Sequence, residues 1–283
     1  MLCWDLKGQT LQEWVAAAEP GSSLLLPSSD YPLDGKLLVI DKPLMISGSG
    51  RTRIRQESAV NAIEVRSSQV TLRDVTVHSG GQALLVSSST SCKILGCDFR
   101  NGSGAAVYLV ASAGSMIFGA SLAGRLVVNV SPGVIVSACA FSGISAAGAA
   151  AVDITTSRGV RISDCNFEAT GNISATGIRG SAVDGLYVGP NCWGGKIDPL
   201  VSIDPSVPSP GIFVAPQQVT APVGSPRGTL KLPPDAACWL QDQGGSFSGI
   251  AIGGGASLRY DKVSGTFQGL KPGTSTWKSL RWL

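Results

Sequence analysis

The stretch GVRISDCNFEA, residues 159–169, brings together side chains that could do chemistry. Asp164, Cys165 and Asn166 are consecutive, and Glu168 follows two positions later. A cysteine nucleophile works as the thiolate and needs an electropositive, partly exposed setting or an adjacent base. No His or Lys lies near Cys165 in the sequence. The single histidine, His78, stands in VHSGG just beyond an expected strand and reads as a solvated turn residue. Glycoside hydrolysis would instead need a pair of carboxylates roughly 5–9.5 Å apart. Whether any Asp or Glu can form such a pair depends on the elements that carry them.

Those elements repeat. ILGCDF (94–99), IFGASL (117–122), VSACAF (136–141) and ISDCNF (162–167) share one pattern of alternating apolar residues with a small residue before the last strand. An earlier copy is IEVRSSQVTLRDVTV (63–77), and a later one ends LYVGPNCW (186–193). Aligned, they give a column Leu72, Ile94, Ile117, Val136, Ile162, Val188. A second column is Val75, Cys97, Ala120, Cys139, Cys165, Asn191, with steps of 22, 23, 19, 26 and 26 residues. A third is Val77, Phe99, Leu122, Phe141, Phe167, Trp193. Period-two alternation means strands with alternate residues facing a core. A variable repeat of this length that keeps its strand phase predicts a β-solenoid with equivalent strands stacked in parallel. A leucine-rich repeat lacks support because its fixed Leu/Asn pattern is missing, and a propeller blade would need about twice the period.

In that frame Cys165 lies in an inward column with Cys97 and Cys139 and is a small core hydrophobe. The carboxylates separate. Asp74 and Asp164 share an outward column with Gly96, Gly119 and Ala138 between them, roughly 19 Å apart at four coils. Asp98 shares its column with Thr76, Ser121, Ala140 and Asn166, and Asp153 stands with Leu85, Tyr108 and Val127. No catalytic residue, metal site or cofactor is therefore expected from one chain. Carboxylates of two chains could still meet in a groove between subunits. The Gly-rich SGSGRTR (47–53) lacks the helix and Lys-Ser/Thr of a phosphate loop and fits a coil turn.

Composition agrees with many short strands and tight turns: 36 glycines, 6% aromatic and 14% charged residues. A net charge of +3 with no basic run argues against nucleic acid or an anionic membrane as partner. MLCWDLKGQTLQEW has no basic region followed by an apolar stretch, so no signal peptide is expected. No apolar run is long enough for a membrane span. Seven cysteines without an export signal do not suggest a disulfide scaffold.

Thr10 and Glu13 form a T-x-x-E capping box, and Leu11, Trp14, Val15 and Ala18 make the apolar stripe of a short helix. That helix would cover the open end of the first coil. The helix, then PGSSLLLPSSDYPL, then LLVIDKPLMISGSG, resembles the start of the right-handed parallel β-helix proteins of the pectate-lyase-like superfamily. Polysaccharide lyases and hydrolases and the tailspikes of bacteriophages belong to it. The resemblance covers about residues 10–195 and implies an all-β, right-handed parallel β-helix. The expected organisation is an N-terminal cap (1–35), the β-helix (36–195), a Pro-rich linker (196–227) and a small C-terminal β module (228–283). The linker contains PSVPSPG, APVGSPRG and LPP, which argue against regular strands.

The outward positions carry a further signal. Glu64, Leu85, Tyr108, Val127, Asp153 and Arg179 form one column, and Thr71, Lys93, Met116, Ile135, Arg161 and Tyr187 another. The ends are charged and the middle is apolar. Leu85, Leu95, Tyr108, Met116, Phe118, Val127 and Ile135 are expected to be either covered by the C-terminal segment or used as a subunit interface. Tyr187 and Trp239 are the candidate glycan platforms, with Trp277 and Trp282 as core or platform of the terminal module. Together with the resemblance, these features imply a non-catalytic, homotrimeric phage virion surface protein, tailspike-like or capsid-decorating. It would be made in the host cytoplasm, and its partners would be other virion proteins and a host surface polysaccharide. The alternatives are a polysaccharide lyase or hydrolase acting on envelope glycans and a bacterial adhesin-like solenoid.

Overall fold

The computed structural model describes residues 9–144, 149–169, 175–195, 197, 199–204, 206–215 and 217–220. Beyond these it describes the strands Leu230–Lys231, Ala237–Leu240, Phe247–Ile252, Ala256–Asp261, Thr266–Leu270 and Trp277–Ser279. For residues 102, 103, 144 and 218 onward the description is of the backbone alone.

The chain winds into a parallel β-helix with three short strands to a coil. The first row stacks Ser23–Leu26, Met45–Gly48, Thr71–Arg73, Lys93–Leu95, Met116–Phe118, Ile135–Ser137, Arg161–Ser163, Tyr187–Val188, Phe213–Val214 and Ala237–Leu240, all in parallel. The second row runs from Asp30–Pro32 through Arg53–Gln56 and Thr76–Ser79 to Gln218–Thr220, and the third from Leu38–Ile40 to Leu230–Lys231. Second and third rows merge where single long strands, Asp98–Val110 and Ser121–Asn129, pass through both.

The register is the one the repeat predicts. Leu72, Ile94, Ile117, Val136, Ile162 and Val188 pair in sequence along the first row, and Val77, Phe99, Leu122, Phe141, Phe167 and Trp193 along the second. All are buried, as are Cys97, Cys139 and Cys165 at the corner between the rows. That corner is tight because the residue before each inward small side chain is left-handed: Asp74, Gly96, Gly119, Ala138 and Asp164 all have φ between 53° and 63°. A different corner, where the third row returns to the first, holds buried Ser89, Ser112, Ser131 and Ser157. Their hydroxyls serve the backbone between coils: Ser112 N donates to Ser131 Oγ at 2.9 Å, and Ser131 N to Ser157 Oγ at 3.0 Å. Buried backbone donors demand such partners.

The helix Leu11–Ala17 forms as its capping box predicts, with Thr10 Oγ1 accepting from Glu13 N and Glu13 Oε2 from Thr10 N. It buries Leu11, Trp14 and Val15. Gln12 uses both ends of its amide on the strand below, accepting from Val39 N at 2.8 Å and donating to Val39 O at 3.3 Å. Lys42 Nζ closes the helix end by donating to the carbonyls of Ala16 and Ala18.

Parallel pairing does not stop at residue 195. Within the stretch expected as a strandless Pro-rich crossing, Val201–Ile203, Phe213–Val214 and Gln218–Thr220 join the three rows. Prolines are tolerated there because they sit in the connections. Pro199 and Pro210 need no N–H to accept, through their carbonyls, from Gly177 N and Gly185 N of the preceding coil. After Ala237–Leu240 the first-row sheet continues as an antiparallel meander of four further strands.

Candidate functional site

Three surfaces on the exterior gather residues that could act. The first lies on the outer side of the first row. Lys93–Leu95, Met116–Phe118 and Ile135–Ser137 are adjacent strands, so Leu95 stacks beside Phe118 and Met116 beside Ile135. Phe118 is 51% exposed and Ile135 37%. The other apolar residues expected in the same patch are elsewhere: Leu85, Tyr108 and Val127 stack on the third row and are half-buried. One corner separates the two sets. Between Val110 and Met116 the chain turns through left-handed Ala111 (φ 50°) and Gly114 (φ 63°), which redirects the next strand onto another face. The expected patch is thus two strips at the same height.

Further along the first row, Tyr187 and Phe213 stack with ring centroids 5.5 Å apart and planes 3° from parallel. Both are exposed, and Arg161 precedes them in the same column. Tyr187 therefore has an aromatic partner that the repeat alignment, ending at residue 193, did not include. Trp239 and Trp277 lie in described strands, but their side chains, and all of Trp282, fall outside the described residues.

The third surface is cationic and belongs to the second row. Arg55, His78 and Arg100 pair on successive strands, with Arg53, Thr76 and Asp98 in the neighbouring column. His78 is thus inside the strand Thr76–Ser79 and not in a turn beyond it. Two hollows flank it. One, of about 280 Å³, is lined by Arg55, Gln56, Glu57, His78, Ser79, Arg100 and Asn101. The other, of about 260 Å³, is lined by Gly50, Arg51, Arg53, Thr76, His78 and Arg100. Burial holds the His78 imidazolium below its ordinary pKa, and Arg100, Arg53 and Arg55 act in the same direction against the opposing pull of Asp98. The sequence signal of this site is RTRIRQ, upstream of the aligned copies, whose Arg55 falls one repeat before His78.

Among the described residues the carboxylates are mostly held apart by arginines, with Asp30 and Glu57 meeting at Arg55. Arg55 bridges Asp30 (3.7 Å) and Glu57 (2.6 Å), Arg100 bridges Asp98 (2.8 Å), Arg73 bridges Asp74 (3.0 Å) and Arg158 bridges Asp184 (3.0 Å). Asp153 is clasped by both Arg179 Nε and Nη2. Among the described residues no group of three or more His, Cys, Asp or Glu could hold a metal ion. Cys165 is buried, its Sγ 3.2 Å from Ser163 O, and its thiol is pushed up by Cys139 and by burial. Desolvation likewise raises Cys97, to about 11. These are core thiols. Cys192, in contrast, is exposed.

Comparison with known proteins agrees with this architecture. Residues 56–193 match the family model described as right handed beta helix region. ORF18 of Geobacillus virus E2 superposes with a TM-score of 0.58 at 10% identity, covering 95% of this chain and 72% of the viral one. PfbA, a surface adhesin of Streptococcus pneumoniae, superposes at 0.53 and 8% identity, covering 88% of this chain and 91% of the adhesin. At such identities the likeness is one of fold. No curated protein matches the sequence.

Proposed function

We propose that this right-handed parallel β-helix is a non-catalytic, trimeric surface protein of a phage virion, presenting an exterior that binds host glycan or stabilises the particle. The observation that carries the reading is the pair of apolar strips on two faces at one height of the solenoid. A closed ring joins unlike patches head to tail, one from each neighbour, whereas a twofold dimer needs only one self-complementary patch. Leu95, Met116, Phe118 and Ile135 of one subunit would meet Leu85, Tyr108 and Val127 of the next, leaving the charged coils to solvent. The structural likeness to a viral protein supports the virion setting at the level of fold only. Among the described residues the ion-paired carboxylates sit on separate arginines, except Asp30 and Glu57, which share Arg55, and this supports a surface that binds without cleaving.

Sedimentation equilibrium on the purified chain tests the assembly. A trimer that Phe118→Asp or Tyr108→Asp each converts to monomer is the expected result. A monomeric parent protein would overturn the trimeric reading. Release of new reducing ends from envelope polysaccharide would replace the binding reading with that of a depolymerase.

A further inference from the structure

The cationic second-row surface has features that charge pairing alone does not require. Four arginines and a histidine, Arg51, Arg53, Arg55, Arg100 and His78, face three carboxylates, Asp30, Glu57 and Asp98. Each guanidinium carries five N–H donors, so Arg100, paired with Asp98, and Arg55, paired with Asp30 and Glu57, keep further donors for a ligand. Arg53 and Arg55 also share Asp30 only at long range, 4.0 and 3.7 Å. The bases repeat from coil to coil, about 4.8 Å apart along the solenoid axis. The two hollows adjoin at His78 and Arg100 and are each slightly smaller than a drug-sized pocket, which begins near about 300 Å³. That size suits one small ring with an anionic substituent.

We propose that this surface binds a linear acidic polysaccharide, one charged sugar residue to each hollow, with Arg55 and Arg100 as the principal carboxylate or sulfate ligands. The proposal rests on the glycan-binding part of the functional reading above and not on its trimer. Two neighbouring features select this ligand over other polyanions. No Phe, Tyr or Trp lines either hollow, and the one ring present, the His78 imidazole, is a small platform beside the successive aromatic rings on which single-stranded nucleic acid stacks. Asp30, Glu57 and Asp98, interspersed among the bases, divide the positive charge into separate positions of single-anion size, which matches a chain carrying one charge on each ring.

Protonation of His78 contributes as well. The groups facing it are Arg51, Arg53, Arg55 and Arg100 on the positive side and Asp98 and Glu57 on the negative. An anion in either hollow offsets the arginines that, together with burial, lower the His78 pKa, so bound ligand and bound proton favour each other.

Calorimetric titration of the full chain with oligogalacturonate, dextran sulfate and neutral dextran of matched length tests the site. Binding of the acidic chains only, weakening as salt is raised, is expected. Oligogalacturonate or dextran sulfate binding alone would identify carboxylate or sulfate as the recognised group. The double variant Arg55→Ala/Arg100→Ala should bind about tenfold or more weakly. Arg161→Ala, which removes one positive charge from the first row, should leave affinity unchanged. Binding should be tighter at about pH 5 than at about pH 8, and His78→Gln should flatten that difference even if the double variant folds poorly. Equal binding of neutral dextran, equal sensitivity to Arg161→Ala, or tighter binding of oligothymidylate through the same arginines would each overturn the proposal. None of these outcomes depends on the sedimentation result.

Discussion

Phe141, Phe167 and Trp193 occupy successive coils with ring centroids 4.7 and 4.3 Å apart and planes within 11° of parallel. The coil spacing imposes this face-to-face geometry, so the stack is a product of the ladder. Gln217 closes it, accepting from Trp193 Nε1 at 2.9 Å and donating to Gly189 O and Ala215 O. Phe167→Ala should cost about 3–5 kcal/mol, read from a guanidinium unfolding curve, because rings on both sides lose contact and the rigid coils cannot collapse onto the gap. The left-handed corner makes the opposite prediction for Ala138 (φ 54°). Its column neighbours in the two preceding coils are Gly119 and Gly96, and Ala138→Gly should stabilise by roughly 0.5–1 kcal/mol in the same assay. Thiol reactivity offers a third residue-scale check. Of Cys92, Cys97, Cys139, Cys165 and Cys192, only the exposed Cys192 should be alkylated in the native protein, as judged by peptide mass mapping.

At the scale of elements, the N-terminal helix has a second task beyond covering apolar side chains. Among the described residues no strand precedes Leu38–Ile40 in the third row, and the polar groups on its free side would otherwise invite pairing with another chain. Gln12 occupies both the N–H and the carbonyl of Val39. Gln12→Ala should destabilise by about 1–2 kcal/mol and increase concentration-dependent aggregation on light scattering, with the far-UV spectrum unchanged. Thr10→Ala, which removes the capping box alone, should cost about 1 kcal/mol without promoting aggregation. Comparing the two separates helix stability from edge protection.

Up to its antiparallel C-terminal meander the molecule is a ladder in which each coil pairs with its neighbours, so stability is distributed and the outer faces are free to specialise. Here they have done so by face as well as by height. Apolar strips occupy the first and third rows at the middle coils, and the arginine surface occupies the second row toward the N-terminal end. An assembly formed through the two strips would leave the arginine surface open on each subunit. Trimer-breaking Phe118→Asp should therefore leave affinity for acidic glycan per subunit unchanged, measured by calorimetry on parent and variant.

What was legible in the sequence was whatever the repeat controls. Period-two alternation within strands and a recurring step between coils determined which residues face inward, and hence that Cys165 is core. They also separated Asp74 from Asp164 by four coils, because coil number sets distance along the axis. The capping box at Thr10 and Glu13 was equally readable, being a local hydrogen-bond exchange. The tertiary structure decided how the rows are disposed around the axis. A corner of a few residues, Ala111 to Ser115, determines whether Tyr108 and Phe118 share a face, and its turn depends on left-handed φ values that an alignment of strands does not carry. The same holds for Arg55, His78 and Arg100. Their types are visible in the chain, but only coil-on-coil registry places three bases from separate strands around two adjoining hollows.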